Sequence, residues 1–438
     1  MTTPPLPPLV WPLWQRVAFR FFATYFTLYI APWTWLGLLP GNVGVVLTPW
    51  SALLRWAVEK SNAAIFHVRE TLVMPNGSGD TSWSWAQACL YLTLAAAVTV
   101  VWSILDRRRT AYPRGAYWLR TIVRYSLAMV AIQYGVIKVI PLQMPFPALS
   151  QLSTPLGDLL PMRLSWLFIG YSEPYQMFCG AVELMAGVLL LWRRTVTLGV
   201  LLAVGAFANV LVVNLSYDVP VKLYALHLFA MAVFLLALDA PRLLRLFVLN
   251  APVGGTTLYD PPAMGRRWRI AGYIVKAAAV ILLLVMPFYS TYQRGQAQQT
   301  VRPASPLAVG VYDVRLFVRN GDTIPALTSD SIRWRDVVID NPAGGSVGST
   351  DPRFWQRYRR GYFRYRADTS AHTMAVWRTS FMGDSTHVFT ARYTLPDSNS
   401  AKLWTTMGSD SLYVELVRSS RHFQLTERQF HWLSEYNR

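Results

Sequence analysis

Charge is what this 438-residue chain has least of. Asp, Glu, Lys and Arg make up 15% of it, against about 25% in an ordinary soluble domain. Acidic residues are the scarcer kind, 23 against 41 Lys plus Arg, which leaves a net charge of +18. Cysteine is almost missing: Cys89 and Cys179 are the only two, and they form no C-x-x-C pair. That excludes redox chemistry by adjacent thiols. Histidines number six, and His372, His387, His422 and His431 stand at no metal-ligand spacing, so no metal site is expected. Walker, G-x-G-x-x-G and H-E-x-x-H motifs are all absent. With 53% hydrophobic residues the chain is not disordered. Its basic residues lie beside long apolar runs, which argues for a lipid bilayer as partner and against nucleic acid.

The charge deficit is uneven. Residues 1–290 hold 22 basic and 10 acidic residues, and residues 291–438 hold 19 and 13 in about half the length. The first part reads as a membrane domain (1–290) and the second as a soluble domain (291–438). The break is expected in the polar stretch Tyr292 to Pro303.

A helix that crosses the hydrocarbon core needs about 20 mostly apolar residues. About seven stretches qualify on that measure: 17–39, 85–105, 121–141, 175–192, 195–214, 221–238 and 270–290. A half-length apolar segment, 163–171, is expected to be re-entrant or interfacial. The Pro-rich N-terminus with its long first apolar run does not fit a signal peptide, so that run is expected to stay as the first span. With the N-terminus inside, the inner segments carry 14 Lys/Arg and the outer segments 5. The positive-inside rule then puts residues 291–438 outside, an extracytoplasmic domain with the N-terminus cytoplasmic.

Residues 300–438 read as mainly β and sandwich-like. Strand signals lie at 311–318, 334–339, 362–366, 386–393 and 411–417, with Asn320-Gly321 as a hairpin turn. Thr426 and Gln429 suggest a capped helix at 427–435. The basic run Arg353 to Arg366 is expected to be solvated or to face lipid headgroups.

Function is sought among the few charges inside spans, because each is costly there and usually faces a partner or cavity. Glu183 lies mid-span with Gly180 and Gly187 on its face. Lys138 lies one turn after Tyr134 near the outer end of another span. Asn214, Asp218, Lys222 and His227 gather where the fifth and sixth spans meet. Glu183 and His227 are the candidate proton carriers, and Tyr134, Lys138, Asn214, Asp218 and Lys222 the candidate ligand-binding groups of an outer-leaflet pocket. Each also has a plainer reading: an ion pair for Glu183, snorkelling for Lys138, a helix cap for Asp218, a hydrogen-bonded core histidine for His227. Arg124, near the inner end of its span, reads as a positive-inside anchor. The outer loop 40–84, with Glu59, His67, Glu70 and the Gly-rich Asn76 to Asp80, is long enough to cover such a pocket.

Three features carry a family resemblance: Gly135-x-x-Lys138, then Glu183-Leu184-x-x-Gly187-x-x-Leu190, then an apolar helix running to Leu238-Asp239. Through them the stretch 121–249 resembles the DoxX family of four-helix membrane proteins. Longer DoxX-like proteins are similar around Asn76–Thr81, Tyr217–Leu223 and Phe430-His431-Trp432. The resemblance implies a four-helix core within the seven-span, all-α polytopic domain, set in a bacterial inner membrane. Three alternative functions are open. One is a redox-linked protein that binds quinone or a similar ligand. Another is a non-enzymatic accessory protein whose β domain holds a membrane or periplasmic partner. The third is a carboxylase-like enzyme.

Overall fold

The computed structural model describes residues 10–38, 42–262, 265–300, 305–327, 332–379, 385–428 and 430–435. The chain divides into two compact units. The helical unit holds residues up to Met144 and Ser172–Gly295. The second unit takes Gln296–Arg438 and also Pro145–Tyr171, from inside the 1–290 stretch.

The helical unit contains α1 (Leu13–Ile30), α2 (Thr48–Ser61), α3 (Ser82–Leu105) and α4 (Pro113–Val139). After the second unit's α5 (Leu149–Leu152) and α6 (Pro161–Tyr171), it resumes with α7 (Glu173–Leu191), α8 (Val196–Ser216) and α9 (Lys222–Phe247). Last come α10 (Arg266–Val280), a π turn at Ile281–Val285 and α11 (Met286–Thr300). Local chemistry sets several of these ends. Pro113 opens α4, where its missing N–H is no loss. The Thr81 and Ser172 side chains cap α3 and α7. Pro32 disfavours helical geometry at the residue before it, and α1 stops at Ala31, in the left-handed region at φ 44°.

Among the described residues, five helices are long and apolar enough to cross a membrane: α3, α4, α7, α8 and α9. They coincide with five of the expected stretches. The expected first span is shorter than foreseen, because its helix ends at Ile30 and continues as a 3-10 segment, Pro32–Leu38. The expected seventh lies within the α10–α11 run, which is polar at both ends. The segment 163–171 is α6 and belongs to the second unit.

Helices α4, α7, α8 and α9 form a ring in which each packs on the next and α9 returns to α4. α4 is the central helix and the most deeply buried of the five. The α4–α7 contact is the closest, because a Cβ added at Gly135 would stand 2.5 Å from Leu184 N. At Gly180 it would stand 2.6 Å from Lys138 Cβ. Small residues let two backbones approach this closely.

The second unit is a barrel, a correction of the sandwich-like expectation. Its strands are β1 (Gly310–Arg319), β2 (Asp322–Thr323), β3 (Asp336–Asn341), β4 (Gly344–Val347) and β5 (Trp355–Arg357). They continue with β6 (Arg360–Asp368), β7 (Thr373–Thr379), β8 (Ser385–Asp397), β9 (Ser400–Met407) and β10 (Asp410–Arg418). All pairings are antiparallel, and eight strands close when β1 pairs with both β3 and β10. β2 and β5 are short additions on β1 and β6. Alternation along a strand is the same in a sandwich and a barrel, whereas closure depends on accumulated twist and stagger. Asn320 (φ 56°) and Gly321 (φ 91°) make the expected two-residue turn between β1 and β2. The C-terminal helix is only Gln424–Glu427, and Gln429 lies outside the described residues.

The barrel interior is filled by side chains such as Phe317, Trp334, Phe354 and Phe389. The void left is about 10 Å³, at the lower limit for one water, so the interior is a packed core and no ligand cup. Outside, α5 lies on β3. Ser150 donates from its backbone N–H (2.8 Å) and Oγ (2.5 Å) to the Asp340 carboxylate. Burial raises the Asp340 carboxyl above its usual range, and the Ser150 bonds oppose that shift. Arg360, 1% exposed, is bound to Asp336 and Ser346, and Arg353 is paired with Asp351 and Asp410. The basic run 353–366 is therefore partly interior structure, against the expectation of a solvated face.

Candidate functional site

The candidate residues of the helical unit fall into two groups. The first is the α4–α7 ion pair. Lys138 Nζ donates to Glu183 Oε1, with the residues 8% and 4% exposed. The glycine contacts of the two helices place this pair between their backbones. The second carboxylate oxygen, Glu183 Oε2, is buried and has no hydrogen-bond partner among the described residues. Lys138 Nζ lies 6.0 Å from the centroid of the Tyr134 ring. Tyr134 is 36% exposed, so it forms the outer edge of this group.

His227 sits in an aromatic group from α1 and α9. Its Nδ1 is 2.7 Å from the Leu223 carbonyl, which can only accept, so Nδ1 carries a proton. Nε2 lies 2.6 Å from the Tyr25 hydroxyl, from which it accepts when the ring is neutral. Tyr29 stacks on the imidazole at 3.9 Å and 4°. Tyr224 stands 6.4 Å from Tyr134 and within electrostatic reach of Tyr29. Tyr91, bonded to Gln87, is within the same reach of Tyr25 and Tyr29.

The remaining candidates are held elsewhere. Lys222 pairs with Asp218 at 2.7 Å and lies 3.5 Å from Asp80. Asp80 accepts the Lys222 and Leu223 N–H groups at 2.8 and 2.9 Å, so it caps α9 in place of Asp218. Gly79 N–H donates to the Pro220 carbonyl at 2.8 Å, which docks the loop turn on the α8–α9 connection. Asn214 is buried, and its carbonyl accepts the Val219 N–H at 3.0 Å. The structure therefore brings Tyr134, Lys138 and Glu183 together, sets His227 apart with Tyr25 and Tyr29, and assigns Asp218 and Lys222 to the loop clasp. Among the described residues no three of His, Cys, Asp and Glu gather as metal ligands.

Sequence reasoning missed Tyr25, Tyr29, Tyr91 and Tyr224, and it placed Asp80 in the covering loop without its capping role. The i, i+4 spacing of Tyr25 and Tyr29 marks a shared helix face. No local signal links Asp80 to a helix 142 residues away.

A curated protein to which this chain is similar is the uncharacterized protein YwoB of Bacillus subtilis (strain 168). The two are 33% identical over 84 residues, which is 19% of this chain and about half (54%) of that protein. No protein-family model and no solved structure matches the chain.

Proposed function

We propose that the helical unit is a DoxX-like, redox-linked membrane module that binds a lipophilic ring of the quinone class between Tyr134 and the Lys138–Glu183 pair. One observation carries this reading. A buried carboxylate oxygen without a partner is expensive, and Glu183 Oε2 is such an acceptor. A ring hydroxyl would satisfy it, while Lys138 and the Tyr134 hydroxyl offer donors to a ring carbonyl. Tyr25 and His227, 2.6 Å apart, supply groups able to pass a proton. The ring of α4, α7, α8 and α9 supports the four-helix core.

Topology belongs to the same proposal. Counting α1 and the α10–α11 run as spans beside the five apolar helices gives seven. That odd number puts the barrel across the bilayer from the N-terminus, outside a bacterial inner membrane. A reporter fused after Arg438 should then be active only outside, and cytoplasmic activity overturns the topology.

A second reading is favoured by the two bonded nitrogens of His227 and by the glycine-packed ion pair. In it the polar groups only hold the helices together, and the barrel binds a partner protein. Mass spectrometry of solvent extracts from purified protein separates the two. Quinone at near one per chain, lost in Glu183→Gln, supports the first. A stoichiometric partner protein without quinone supports the second and overturns the first.

A further inference from the structure

We propose that the arginine-rich end of the helical unit is a binding site for a phosphate anion, held by Arg120 and Arg124 beside Tyr259. The case begins with Arg124. It reads from sequence as an interfacial anchor, yet it is 7% exposed. Its Nε is buried with no hydrogen-bond partner among the described residues, and the same is true of Arg120 Nε. The two are one turn apart on α4 and share a face. The Arg124 guanidinium lies over two rings, Tyr125 at 4.6 Å and Tyr259 at 5.6 Å.

The acids of this end are already engaged. Asp239 is bound by Arg242 and by Thr197 Oγ1. Asp260 pairs with Arg193 at 3.1 Å. Asp106 accepts from the Tyr112 hydroxyl at 2.8 Å. Nor does the fold neglect buried guanidinium groups in general. Arg20, 1% exposed, donates from all three nitrogens to Tyr112, Ser103 and the Asp106 carbonyl. Arg124 is buried and Arg120 half-buried, and a guanidinium whose buried Nε donates to nothing is unfavourable unless something supplies an acceptor. Tyr259, 5% exposed, forms one wall of this end, with Asp239 as well as Arg124, Arg120 and Arg242 in its electrostatic surroundings. An oxyanion placed there would take charge-assisted bonds from both guanidinium groups, whose planar forks suit phosphate. The chemistry is that of a phosphate oxyanion, either the phosphodiester of an anionic phospholipid headgroup or inorganic phosphate.

The test uses the full chain in nanodiscs. Thermal unfolding is followed in pure phosphatidylcholine, in phosphatidylcholine with phosphatidylglycerol, and in pure phosphatidylcholine with inorganic phosphate. The midpoint should rise by several degrees with the anion. A rise with phosphatidylglycerol only assigns the lipid, and a rise with inorganic phosphate assigns the free anion. Anion affinity should fall about 10- to 100-fold in Arg124→Gln, the loss expected for a charge-assisted contact. Arg124→Lys should keep part of it. Should the glutamine variant fail to fold, native mass spectrometry of the wild-type chain still decides, by preferential retention of phosphatidylglycerol over phosphatidylcholine or by a bound phosphate mass. Equal midpoints in all three conditions, equal anion shifts in wild type and Arg124→Gln, or no preferential retention of lipid or phosphate overturns the site.

Discussion

Gly135→Ala is expected to cost about 3 kcal/mol or more, the upper end for overpacking a tight contact. The added Cβ would lie 2.5 Å from Leu184 N and 2.7 Å from Leu184 Cα. Both are backbone atoms, so no side chain can turn aside. Helix α7 must move away from α4, which disturbs the Lys138–Glu183 pair between them. Gly205→Ala is the control. It is exposed within α8, and a Cβ there meets nothing within 4 Å. That change should be neutral or stabilise by up to about 1 kcal/mol, through helix propensity alone. Thermal unfolding in detergent with size-exclusion chromatography reads both. Equal behaviour of the two variants would mean that the close α4–α7 approach does not hold the bundle together.

Lys138→Met should be nearly as damaging. It leaves Glu183 buried without a counter-charge, and breaking a buried ion pair in this way costs about 3–5 kcal/mol. The double variant Lys138→Met with Glu183→Leu removes both charges. It should recover most of the stability, because apolar replacement of a whole pair is often neutral. The cycle also separates the proposed roles. If the pair is only helix glue, the double variant recovers everything measurable. If Glu183 also receives a ligand, stability returns and quinone retention does not. A double variant as unstable as Lys138→Met would contradict the pairwise account of this site.

How much of the site was legible follows from distance along the chain. Glu183 and Lys138 stand out as charges in apolar runs, and Gly180 and Gly187 mark a close helix approach. That they meet each other, 45 residues apart, is not written in either run. His227 stands out for the same reason, yet its partner Tyr25 lies 202 residues away on a helix that looks merely aromatic. Arg124 misleads in the opposite direction. The positive-inside rule explains an arginine there so well that its burial and lack of an acceptor cannot be guessed. Lys222 and Asp218 looked like site residues because they sit among polar neighbours, and the loop carboxylate of Asp80 draws them into a clasp.

The sequence by itself determines the solvent of each part. Transfer of apolar side chains is additive along a segment, so runs of apolar residues mark the five long helices, and denser charge with two-residue alternation marks the β part. It also determines the Asn320-Gly321 turn, because that backbone needs residues tolerant of positive φ. Only the tertiary structure decides that the β strands close into a barrel, that residues 145–171 join it, and which buried charges find partners. Those outcomes rest on twist, register and contacts between residues far apart in the chain, and such contacts leave no periodic trace in the segments that make them.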